Sequence, residues 1–320
     1  MSDPIDMSPW QGRIDSEESV AALRWHQVIS PLDEFSPARA IALLGFACDA
    51  GVQRNKGRVG AREGPVAIRS ALANLSYATE KPLFDAGDVV CIGNELERAQ
   101  RALADTIAAL LDRDMKTILL GGGHEIAWGS FQGIMQHLRN TARQAPKVGI
   151  INFDAHLDLR NPVGGASSGT PFRQIAEACA EHNQEFLYQV IGVSPSANTS
   201  ALFDYAISKR VRWIEDVDVQ MANINAITTR LQEFLHPVDY IYLTICLDVC
   251  SASLAPGVSA PAGVGISNDV LINLVRCIRR IAAERAIPII LADVAEMNPR
   301  YDPDGRTARL AARLVWEICQ

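Results

Sequence analysis

The fold turns on one stretch, Asn152-Phe153-Asp154-Ala155-His156-Leu157-Asp158-Leu159-Arg160. Asp154, His156 and Asp158 recur at every second position. Alternate residues of an extended chain point the same way. A nearly straight segment would therefore aim two carboxylates and an imidazole at one point. The run before it, Lys147-Val148-Gly149-Ile150-Ile151-Asn152-Phe153, is short, apolar and rich in β-branched residues, which predicts a buried parallel strand. The polar triplet then falls where a strand ends, the place where open α/β sheets put their sites. A lone aspartate there would read as a loop or cap residue. Three ligands on one face point to a metal.

Outward from this stretch, strands alternate with helices. Upstream, strands are expected at Ala40–Phe46, Phe84–Val90 and Thr117–Leu120, with helices from Gly64-Pro65 through Leu75, Glu95 to Leu111 and Ile126 to Leu138. Pro65 suits a first helical position. Downstream, strands are expected at Phe186–Val193, Val211–Ile214, Tyr240–Leu247 and Pro288–Ala292. Helices are expected at Phe172–Ala180, Ser200–Lys209, Val219–Leu235, from an N-cap at Ser267, and at the C-terminus to about Ile318. This alternation gives a mostly parallel sheet with helices on both faces. No linker or repeat divides the chain, so one domain is expected over residues 1–320. Residues 1–38, with Trp10, Trp25 and Leu32, would form a lead-in packed upon it.

Composition narrows the class. A chain of 320 residues, 48% hydrophobic and 21% charged, can bury a large core. A net charge of −7 without a basic block argues against non-specific nucleic-acid binding. No apolar run reaches membrane-spanning length, and the polar, acidic start from Met1 to Arg13 does not read as a secretory signal. Seven scattered cysteines, an odd number, do not read as a disulfide framework; reduced thiols in a cytoplasmic protein are expected.

Four expected strand ends carry unusual polar residues: His124-Glu125 after Gly121-Gly122-Gly123, the 154–160 motif, the Cys246–Cys250 region, and Asp293 to Asn298. A parallel sheet sets such ends along one edge. Carboxylates with imidazoles suit Mn²⁺ or a similar divalent ion better than a cysteine-rich zinc site. A pair of bridged ions would hold hydroxide at neutral pH.

Together these residues resemble a known family. Gly-Gly-Gly-His-Glu at 121–125, Asn-Phe-Asp-Ala-His-Leu-Asp at 152–158, Leu-Asp-Val at 247–249 and Glu-Met-Asn-Pro at 296–299 look like the motifs of the ureohydrolases, which include arginases, agmatinases and formimidoylglutamases. The resemblance runs from about Ile41 to the C-terminus. Trp10-Gln11-Gly12-Arg13, the stretch Arg54 to Pro65 and Ala255-Pro256-Gly257-Val258-Ser259-Ala260-Pro261 resemble the formimidoylglutamase branch most closely.

The resemblance implies an arginase-like three-layer αβα sandwich, two manganese ions and a homo-oligomer acting on a small amino-acid derivative, with no nucleic-acid or membrane partner. His124 and Asp158 match ligands of one ion, and His156 and Asp248 match ligands of the other. Asp154 matches a bridge between them. Glu296 matches the acid that faces the substrate's amidine. The implied reaction is hydrolysis of N-formimidoyl-L-glutamate to L-glutamate and formamide in histidine degradation. A metal-held hydroxide would attack, Asp158 would orient it or take its proton, and Glu296 would hold the amidinium.

Two positions depart from the wider pattern. Cys246 stands where a second bridging aspartate is expected; it is either a soft metal ligand or a buried core thiol. Phe172 stands where arginases carry a proton-shuttling histidine, which argues against arginase itself. Arg173, Arg58 and Asn55, with Arg160, are candidates to hold substrate carboxylates. Two alternatives are a guanidino-acid hydrolase that releases urea and a metal-poor, non-catalytic binding homologue.

Overall fold

The computed structural model describes residues 4–15, 20–141 and 146–320. The expected lead-in is therefore described except for residues 1–3 and 16–19, and residues 1–3 of the polar start also lie outside the described residues. Among the described residues nine strands form one sheet: β1 (Ser30–Pro31), β2 (Ile41–Ala47), β3 (Leu83–Val90), β4 (Lys116–Leu120), β5 (Val148–Phe153), β6 (Leu187–Val193), β7 (Arg212–Glu215), β8 (Tyr240–Cys246) and β9 (Ile289–Ala295). Their order is β1-β3-β2-β4-β9-β8-β5-β6-β7, and every neighbouring pair is parallel.

From β2 onward each strand-to-strand connection carries a helix, the usual crossover between parallel strands. The helices are α1 (Trp25–Val28), which precedes β1, α2 (Ala50–Arg54), α3 (Gly64–Leu72), α4 (Leu96–Asp112), α5 (Ile126–Thr141), α6 (Pro171–Glu181), α7 (Ser200–Ser208), α8 (Ile224–Phe234), α9 (Asn268–Arg285) and the closing α10 (Arg306–Cys319). Strand side chains alternate between two apolar clusters. Ile41 and Leu43 join one with α3, α8, α9 and α10; Ala42, Leu44 and Phe46 join the other with α4, α5 and α6. Helices thus cover both faces, which is why the central strands are buried end to end. This is the expected αβα sandwich.

Some expected boundaries are corrected. The helix expected from Val219 begins at Ile224, because two short 3₁₀ turns, Asp216–Asp218 and Met221–Asn223, precede it. Side chains hold those turns: Gln220 donates to the Val217 carbonyl at 2.6 Å and Asn223 to the Asp218 carbonyl at 2.8 Å. The first long helix stops at Leu72 rather than Leu75. Ser267 occupies its expected N-cap position with extended backbone, but its hydroxyl makes no cap hydrogen bond.

The lead-in is pinned by a buried polar knot. Trp10 Nε1 donates to Asp85 Oδ2 at 2.7 Å, and Arg69 grips both oxygens of Asp85 at 2.7 and 2.9 Å. Arg69 also reaches Asp88 at 2.6 Å. Trp25 is buried, and the Leu32 amide donates to the Asp85 carbonyl. A buried charge pair this well bonded is tolerated because every member has partners.

Candidate metal centre

The four strand ends flagged by the sequence belong to β4, β9, β8 and β5, which lie side by side in the middle of the sheet. Parity decides which side chains meet. Tyr242, Thr244 and Cys246 share one face of β8, while Ile241, Leu243 and Ile245 enter the core on the other. Asn152 and Asp154 share the corresponding face of β5 and its end. After β4 the chain passes through Gly121-Gly122-Gly123. A Cβ on Gly122 would stand 1.8 Å from the Cys48 carbonyl oxygen, so only glycine lets the turn pass and set His124 above the sheet.

There His124 Nδ1 lies 2.8 Å from Asp154 Oδ2 and 2.9 Å from Asp158 Oδ2. His156 Nδ1 lies 3.3 Å from Asp154 Oδ1 and 3.6 Å from Asp248 Oδ2. Asp154 thus faces one imidazole with each oxygen. Ligand atoms of His124, Asp154 and Cys246 all fall within 4.8 Å of one another. Glu296 accepts from the His124 amide at 2.7 Å and from the Ser259 hydroxyl. Behind His124, Nε2 lies 3.0 Å from Thr244 Oγ1, which donates to Asp293 at 2.6 Å. Tyr242 closes that chain with a 2.5 Å bond to the other oxygen of Asp293.

The straight-segment expectation for 154–158 is corrected. Strand β5 ends at Phe153, and Asp158 sits at φ 48°, in the left-handed region. The chain bends because Asp154 accepts the His156 amide at 2.8 Å and Asn198 accepts the Leu157 amide at 2.9 Å. The alternation survives the bend in part: Leu157 and Leu159 join the apolar cluster that also holds Phe172, while His156 and Asp158 line the cleft. Glu296 also has positive φ, at 71°. Two site residues therefore hold backbone conformations that cost energy in a non-glycine residue.

Electrostatics show why this arrangement suits a cation. Burial raises Asp248 and Cys246 well above their usual ranges, and the neighbouring acids push them further. Glu296 is pushed up to about 7, mainly by burial. Burial would raise Asp154 too, but hydrogen bonds from His124 and His156 hold it low. Burial lowers His156, yet Asp154 and Asp248 outweigh it and lift the imidazole to about 10. In addition, Asp248 Oδ1 is buried with no hydrogen-bond partner. An orphaned carboxylate oxygen among carboxylates and imidazoles calls for a cation, and the donor set fits a hard to borderline divalent ion.

The cleft above this floor holds roughly 240 Å³. The predicted residues His124, His156, Asp158, Cys246, Asp248 and Glu296 line it, as do Asn55 and Arg160, while Asp154 is sealed beneath. Arg58 and Arg173 are turned elsewhere. Arg58 donates to the Pro256 and Val258 carbonyls and stacks on Tyr301; Arg173 pairs with Glu177 and lies over Tyr205. Phe172 is fully buried, stacked on Tyr188 and edge-on to His124. Sequence reasoning missed Lys56 at the mouth, Ser259 beside Glu296, and Thr244. Thr244 had a signal, since it lies two residues before Cys246 and so on the same strand face.

Comparisons with known proteins agree with this geometry. A sequence model of the arginase family matches residues 39–320. A formimidoylglutamase of Ralstonia nicotianae is 50% identical over 319 residues, covering 99% of this chain and 96% of the relative. One of Vibrio vulnificus strain CMCP6 is 48% identical over 318 residues, covering 97% and 93%. Among solved structures, formimidoylglutamase from Bacillus subtilis superposes with a TM-score of 0.80 at 24% identity, covering 97% of this chain and 95% of its own. Trypanosoma cruzi formiminoglutamase with Mn²⁺ superposes with a TM-score of 0.74 at 26% identity, covering 88% and 92%. A parallel sheet, a cluster of carboxylates and imidazoles at its four central strand ends and a match over seven-eighths of the sequence lead to one conclusion: this chain belongs to the arginase family.

Proposed function

We infer that this chain is a hydrolase that cleaves N-formimidoyl-L-glutamate with water, giving L-glutamate and formamide, a step of histidine degradation. The observation that carries the reading is full-length likeness to formimidoylglutamases at 43–50% identity. The cleft supports it, with an acidic floor for an amidinium and the cations Arg160 and Lys56 lining its wall for the carboxylates of an acidic substrate.

His124, Asp154, His156, Asp158, Cys246 and Asp248 would hold two divalent ions of the manganese kind. When bound, such ions lower the pKa of water and polarise the carbon it attacks. The chain's own groups do the rest. Glu296, fixed by the His124 amide and Ser259, pairs with the amidinium nitrogens. Asp158, which lines the cleft floor, takes the proton of the attacking water as the C–O bond forms. That proton passes to the glutamate nitrogen as its bond to the formimidoyl carbon breaks. Phe172 and Tyr188 form a dry wall behind His124, with no histidine shuttle at that position. Residues 1–320 would act as one domain, in a cytoplasmic homo-oligomer.

The test is product analysis with metal-loaded protein. Formamide and glutamate released in equal amounts are the expected result. Urea from a guanidino acid, with no formamide from formimidoylglutamate, would overturn the reading.

A further inference from the structure

Cys246 is unlike the other cysteines among the described residues. Cys250, Cys277 and Cys319 belong to one apolar cluster, and Cys48, Cys91 and Cys179 to the other. Cys246 belongs to neither, although it is 1% exposed. It lines the cleft on the strand face it shares with Thr244. Its sulfur lies within 4.8 Å of a nitrogen of His124 and an oxygen of Asp154. A core thiol would be packed among methyl and methylene groups; this one lies beside an imidazole and a carboxylate, and it shares the cleft lining with Asp248 and Glu296.

We propose that Cys246 ligates, through sulfur, the ion held by His124 and Asp154, and so tilts that position from manganese toward a softer divalent ion such as zinc or cobalt. This rests on the reading that the cluster binds metal. Manganese favours carboxylate and water oxygens, whereas thiolate with imidazole selects softer ions. The thiol gives up its proton to solvent as the metal–sulfur bond forms. The second position, between His156 and Asp248, offers an imidazole nitrogen and carboxylate oxygens, so the sulfur makes the first position the softer of the two although both share Asp154.

The test uses the full chain, stripped of metal and titrated with Co²⁺. Visible ligand-field absorption reports binding, and a near-ultraviolet sulfur-to-cobalt charge-transfer band reports the thiolate. Wild type should show both. Cys246→Ser should keep the visible bands and lose the near-ultraviolet one. Cys246→Asp should also lose it and, in competition between Mn²⁺ and Zn²⁺, should shift the bound ratio toward manganese by about tenfold or more. Wild type that binds cobalt without the sulfur band, or binds no cobalt, overturns the proposal; so does a Cys246→Ser variant that retains the band. The wild-type spectrum decides even if a variant fails to fold. Formamide release is measured separately. A sulfur-ligated site without turnover would overturn the proposed function and leave this inference standing, while turnover with no sulfur band would do the reverse.

Discussion

Thr244→Val should cripple metal binding while leaving the packing almost untouched. The two side chains are nearly the same size, so the change removes one hydroxyl from a fully buried chain of bonds. In that chain His124 Nε2–H donates to Thr244 at 3.0 Å, and Thr244 donates to Asp293 at 2.6 Å. Asp293 keeps Tyr242, but the imidazole N–H is left buried and unpaired. An orphaned buried donor costs about 1–3 kcal/mol. The imidazole also loses the contact that fixes its tautomer and aims Nδ1 at Asp154 and Asp158, a kind of loss worth roughly 10–100-fold in metal affinity. Calorimetric titration of the stripped protein measures affinity, and urea unfolding of the same sample measures stability. Thr244→Ser should restore most of both. Affinity within about twofold of wild type in Thr244→Val, with the fold intact, would refute the claim that this chain holds His124 in place.

Three further outcomes are expected. Arg69→Met should cost about 3–5 kcal/mol in urea unfolding, because Asp85 stays buried after losing its bidentate partner; a loss under 1 kcal/mol would mean that Trp10 and the Gly87 amide, which donates to Asp85 Oδ1 at 2.9 Å, suffice. Glu317 accepts from Arg276 and Arg313, which hold its carboxyl low against the effect of burial. Its contribution is therefore present above the unfolded carboxyl's pKa of about 4.3 and is lost as pH falls through the lower folded value. Glu317→Gln should thus cost about 1–2 kcal/mol at pH 7, the low end because both arginines are half exposed, with the gap to wild type closing below about pH 4. Arg160→Met should raise KM for formimidoylglutamate about tenfold or more and change kcat less; an unchanged KM would remove Arg160 from the substrate site.

The candidate metal-site residues were legible because their chemistry is local. Asp154, His156 and Asp158 lie within five residues, and each remaining candidate follows an apolar run that could only be a buried strand. The order of strands was not legible, yet the site depends on it. Nothing in the residues says that β9 lies between β4 and β8, which brings Glu296 beside His124. The left-handed turns at Asp158 and Glu296 were hidden as well, since the bonds beside them are long-range ones: the Leu157 amide donates to Asn198 just before Asp158, and the Ser259 hydroxyl donates to Glu296. The arginines were the weakest reading. Arg58 and Arg173 look identical to Arg160 in sequence, and only the carbonyls and rings they meet separate them.

The two outermost strands have a bearing on how this chain behaves in a crowded solution. A flat, long sheet flank offers unpaired amides and carbonyls on which another chain can align and aggregate. Here one flank ends in the two residues Ser30 and Pro31, and the proline has no amide to offer. The other ends in the four residues Arg212 to Glu215, charged at both extremities. The lead-in that Trp10 fastens to Asp85 therefore acts as a guard on the sheet's flank. Trimming the chain through residue 32 would bare Phe84 and Asp85, the part of β3 that β1 covers, and lengthen the stretch of that strand open to extension.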